Sequence, residues 1–114
     1  MNFIFASHPL WSCAIDLSFD CHYVTCWRKR HQDNPVMAAL RENADRLLVC
    51  VRGLFRNPLR LGRARHFLRE LKQGLKLALG LGFLSKRVAG HLRRRLAVVA
   101  AHIRRWSELD GGVS

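Results

Sequence analysis

The chain has 114 residues, 49% of them hydrophobic, and a formal net charge of +12. That apolar share excludes a disordered polyelectrolyte, and the length fits one small domain, with an N-terminal arm at most in addition. Eight acidic residues scattered over the chain argue against two-carboxylate or carboxylate–metal catalysis.

The first region, residues 1–34, is an arm rich in Cys and His. From Trp11 to Phe19 apolar residues alternate with small or polar ones, a period of two that predicts a half-buried strand. His22–Trp27 is β-favourable, so a hairpin turning near Asp20 is expected. Met1–Ala14 lacks a basic start and is interrupted by His8 and Pro9, so a secretory signal is not expected. There is no run of 18 apolar residues to suggest a conventional transmembrane helix.

The second region, residues 35–110, reads as a basic helical domain. Asp33-Asn34-Pro35 is a helix start, with a cap residue before Pro at the first helical position. Met37, Leu40, Ala44, Leu47, Val51 and Leu54 then recur at steps of three and four, predicting a helix over 35–56 that ends before Asn57-Pro58. A second helix is predicted over 59–79, with Leu61, Ala64, Leu68, Leu71, Leu75 and Ala78 as its apolar stripe and Gly80-Leu81-Gly82 as its stop. A third is predicted over 85–109, capped by Ser85 and stopped by Asp110-Gly111-Gly112. Its stripe is Leu84, Val88, Leu92, Val99, Ile103 and Trp106. The expected fold is mainly α: an antiparallel helical hairpin or three-helix bundle with a short extended or hairpin arm. A core this small also suggests a homodimer.

Charge is concentrated in the helical domain. Residues 46–105 carry sixteen Arg or Lys and one acid, Glu70. Arg outnumbers Lys sixteen to four over the whole chain. The planar guanidinium matches phosphate, so the bias favours a phosphate-bearing partner, although a coding bias toward Arg would give the same count. Arg65, Arg69, Lys72 and Lys76 recur in helical register, and Arg93, Arg94 and Arg95 join them from the third helix. Such rows can track a nucleic-acid backbone without reading its sequence. These seven residues are the expected phosphate contacts, and RNA or duplex nucleic acid is the expected partner.

Two other readings stand beside this one. Leu75, Leu77, Leu81 and Phe83 lie in an apolar stretch flanked by cations, as in a segment resting on an anionic bilayer. Cys13, Cys21, Cys26 and His31 could supply four zinc ligands, although their spacing matches no zinc-finger pattern. Cys50 reads as a core residue. His66 and Glu70 are four apart and read as a surface pair rather than a catalytic dyad. Gly80-x-Gly82-x-x-Ser85-Lys86 lacks the strand that a phosphate-binding loop requires and reads as a helix break.

Size, basic amphipathic helices and a Cys/His-containing N-terminus resemble small viral accessory proteins, some of which bind RNA. The reading is therefore a non-enzymatic accessory protein of the nucleus or cytoplasm. Trp27-Arg28-Lys29-Arg30-His31 and Arg93-Arg94-Arg95 are short runs of the kind read by import receptors.

Overall fold

The computed structural model describes residues 8–26 and 33–113. Among them the chain is mainly α, with no strand and four α-helices: α1 (Pro9–Cys26), α2 (Pro35–Leu54), α3 (Leu61–Gly80) and α4 (Lys86–Val113). A short 3-10 turn, Pro58–Arg60, leads into α3.

Helix α1 corrects the expectation of a strand over Trp11–Phe19 and of a hairpin after it. The alternation is real, but Leu10 and Ala14 fill the gaps with further apolar residues. Leu10, Ala14, Leu17, Cys21 and Thr25 then make a buried face at steps of three and four. With both periods present, neighbours decide the outcome. A lone strand leaves its backbone groups unpaired, whereas a helix satisfies its own. The start is locally encoded: His8 Nδ1 accepts the Leu10 N–H at 3.0 Å, and Pro9 occupies the first helical position. Near the other end, Thr25 Oγ1 donates to the Cys21 carbonyl at 2.6 Å.

The remaining helices follow their signals closely. Asn34 caps α2, its side chain accepting from the Val36 and Met37 N–H groups. Every residue of the expected α2 stripe is buried. α3 ends where Gly82 takes φ +79°, a conformation suited to glycine. This bends the chain so that the Phe83 N–H returns to the Ala78 carbonyl at 2.9 Å. Ser85 Oγ accepts the Val88 N–H at 3.2 Å and caps α4. α4 runs through Asp110-Gly111-Gly112 to Val113, past the expected stop. Glycine lowers helix propensity by about 1 kcal/mol but does not forbid the conformation.

α2 packs on α1 and α3, and α4 packs on the same two helices. Leu40 near the start of α2 meets Gly74 near the end of α3, while Gly53 at the end of α2 meets Arg60 just before α3. A Cβ at Gly74 would come within 2.9 Å of Leu40 Cδ2, so the missing side chain lets α2 and α3 approach closely. The core draws on all four helices, with Leu17, Leu47, Leu71 and Val99 among its buried members. At one end His8, Phe55 and Trp106 stack edge-on, with centroids 4.8–5.4 Å apart.

Candidate nucleic-acid interface

The buried stripes fix where the charges go. With Leu71, Leu75 and Ala78 turned inward, Arg65, Arg69, Lys72 and Lys76 come to the exterior of α3. With Leu92, Leu96, Val99 and Ile103 turned inward, α4 exposes one flank toward α3, another toward α1 and a ridge between them.

The α3 flank forms a groove. Its floor is Leu68, Leu96, Ala97 and Ala100, and it encloses about 360 Å³. Arg69 and Lys72 stand on the α3 rim, Arg93 and Arg104 on the α4 rim. Arg65 extends the cationic lining next to Arg69 and Arg104. Arg93 and Arg104 are eleven residues apart, about 16 Å of helix at the standard rise. No acid lines the groove among the described residues. Glu70 on α3 lies instead 3.9 Å from His66.

The α1 flank of α4 has the opposite character. Asp20 accepts from Arg95 Nε at 2.9 Å and pairs with His91 Nε2 at 2.8 Å. Asp16 lies 3.7 Å from Arg95 Nη1. On the other side of α1, Ser18 donates to Asp45 of α2 at 2.9 Å, and His22 pairs with the same carboxylate at 2.8 Å. α1 is thus bound to both neighbours through carboxylates, and Arg95 is committed to that seam.

The seven expected phosphate contacts are accordingly divided. Arg65, Arg69, Lys72 and Arg93 come together at the groove. Arg94 is exposed on the ridge, its guanidinium reaching back over Gly90. Lys76 lines a separate shallow depression with Leu77 and Leu81. Arg95 lies on the α1 side. Arg104, a basic residue of the third helix that is not among the seven expected contacts, also lines the groove. Its signal was available, because the steps 93, 97, 100 and 104 keep one helix face.

The cysteines do not converge among the described residues. Cys21 is buried, and burial, reinforced by Asp20 and Asp45, pushes its thiol up to about 12. Burial also raises the Cys13 thiol, with Asp16 adding and Arg95 opposing. Cys26 is exposed at the end of α1, and His31 lies outside the described residues. No group of three or more His, Cys, Asp or Glu among the described residues is placed to hold a metal. Cys50 is buried on α2, as its core assignment requires.

The lipid-facing set is divided too. Leu75 belongs to the core and Phe83 is half-buried, whereas Leu77 and Leu81 are about half exposed, at 51% and 54%. No helix among the described residues is long and apolar enough to cross a membrane. The import-type run at 27–31 lies outside the described residues.

No protein-family model, curated protein or solved structure matches the chain.

Proposed function

We propose that the chain is a non-enzymatic accessory protein that binds RNA or duplex nucleic acid through the α3/α4 groove, its four helices acting as one antiparallel bundle. The observation carrying this reading is the pair of cationic rims, Arg65, Arg69 and Lys72 on one side and Arg93 and Arg104 on the other, with no acid lining them among the described residues. Like charges held in such rows repel one another, and a polyanion relieves that repulsion. Because the rows sit on helices whose inner faces are buried, the cations are spaced by the fold. Phosphates gain from that spacing whatever the base sequence.

The test is a titration with duplex RNA at several salt concentrations, repeated with Arg69, Lys72, Arg93 and Arg104 all replaced by Ala. Each phosphate contact contributes about 0.9 to the slope of log affinity against log salt, so losing four should flatten it by roughly 3.6. Equal affinity and slope in the two proteins would sink the assignment.

A second reading has one observation in its favour. Leu77 and Leu81 are exposed one turn apart beside Lys76, a pattern suited to an anionic bilayer surface. Leu77→Glu with Leu81→Glu should abolish adsorption to anionic liposomes on that reading, and should leave RNA binding intact.

A further inference from the structure

The nucleic-acid reading uses the rims of the α3/α4 groove and leaves its floor without a role. Phosphates gain little from Leu68 or from Ala97 and Ala100. An apolar strip between cations is an unfavourable surface to leave against water. Ala97 is exposed and Ala100 half-buried, and these two small side chains create the depression between the helices. A volume of about 360 Å³ falls in the range of small-molecule sites, which combine apolar walls with a few charged groups.

We infer that the groove binds a single-chain anionic amphiphile. Its alkyl chain lies on the floor over Leu68, Leu96 and Ala97, and its carboxylate or phosphate head meets the rim cations. The complementarity is specific in two respects. A purely polar anion would leave the floor wet, and an uncharged chain would leave four cations without a partner from the ligand. The length also fits, because the roughly 16 Å between Arg93 and Arg104 accommodates an extended chain of medium length. Such a ligand would compete with nucleic acid for the same cations. The inference stands on the floor and does not need the nucleic-acid reading to hold.

The experiment is calorimetric titration of the full chain with laurate below its micelle concentration. Dodecyl phosphate, decanoate, dodecanol and inorganic phosphate are compared, and duplex RNA is titrated in parallel. The result expected is one saturable laurate per chain, matched by dodecyl phosphate within a few-fold. Decanoate, two methylenes shorter, should bind roughly fifteenfold more weakly, since each buried methylene is worth about fourfold in affinity. Dodecanol and inorganic phosphate should each lose at least tenfold. Ala97→Phe fills the floor at an exposed position and should weaken laurate at least tenfold, with the helicity and thermal stability of the chain unchanged. Ala97→Leu should give a smaller loss of the same kind. Laurate binding unchanged by Ala97→Phe, dodecanol binding as well as laurate, or many laurates per chain with loss of helicity would each overturn the inference. So would retention on phosphatidylglycerol vesicles without one-to-one laurate binding, which would point to surface adsorption through Leu77 and Leu81. Laurate binding without RNA binding would support the inference and count against the nucleic-acid reading alone.

Discussion

Helices α1 and α3 occupy equivalent places, each packed on α2 and α4, yet they differ in almost every surface property. α1 has no Lys or Arg, and its exterior includes Phe19 and Tyr23, which are 70% and 66% exposed. Its polar groups reach sideways: Asp20 to α4, and Ser18 and His22 to Asp45 on α2. α3 carries Arg63, Arg65, Arg69, Lys72 and Lys76 against one acid, and its cations turn outward. The difference teaches that a helix can complete a core by two routes. One is tied into its neighbours by cross-helix carboxylates. The other packs through a buried apolar face, with five cations on its exterior.

The largest expected effect tests whether α1 is as integral as α3. Leu17→Ala and Leu71→Ala each truncate a side chain that is 1% exposed, and each should cost about 2–5 kcal/mol by chemical denaturation. A negligible cost for Leu17→Ala with a full cost for Leu71→Ala would break the equivalence. Next in size is removal of Asp20, which binds two α4 side chains from a partly exposed position. Asp20→Asn should lose about 1 kcal/mol, with the loss shrinking at high salt. Because it carries no groove residue, its RNA affinity should not fall.

Gly74→Ala sharpens the account of the α2/α3 approach. Better helix propensity offers about 1 kcal/mol, but the new Cβ crowds buried Leu40, and overpacking costs about 1–3 kcal/mol. A small net destabilisation is expected; a gain near 1 kcal/mol would show that Leu40 yields freely.

The smallest effect concerns acid. Burial, with the neighbouring charge of His102, lowers the pKa of His8, so the unfolded chain binds its proton more readily than the folded one. Stability should therefore fall as pH drops below about 6.5, with no effect of this group at higher pH. Protonation also removes the Nδ1 acceptor that caps Leu10. His8→Asn keeps a capping acceptor without the titration. Thermal melts at pH 7.5 and 5.5 should show a smaller acid-induced drop in this variant than in the parent chain.

Much of α2, α3 and α4 could be read locally. Asn34, Pro35 and Ser85 act at their own helix ends, and the apolar stripes need no knowledge of the neighbours to be recognised. α1 could not be read this way, since it is apolar around most of its circumference and its cap is an unusual one, His8. That single error propagated to the site. With residues 11–19 placed in a strand, Asp16 and Asp20 had no known neighbour, so nothing set Arg95 apart from Arg93. The two are separated by two residues and by about 200° around α4, so only the packing of α1 and α3 tells their environments apart. Arg104 shares a helix face with Arg93 by its spacing, but only α3 defines that this face lines the groove.

The most direct test of the central claim uses that pair. Duplex RNA is titrated at several salt concentrations with Arg93→Ala and Arg95→Ala, two variants of identical net charge. The groove account predicts a several-fold affinity loss and a salt slope flatter by about 0.9 for Arg93→Ala, with Arg95→Ala close to the parent chain. Equal losses from the two would mean that undirected positive charge, not the α3/α4 groove, attracts the nucleic acid.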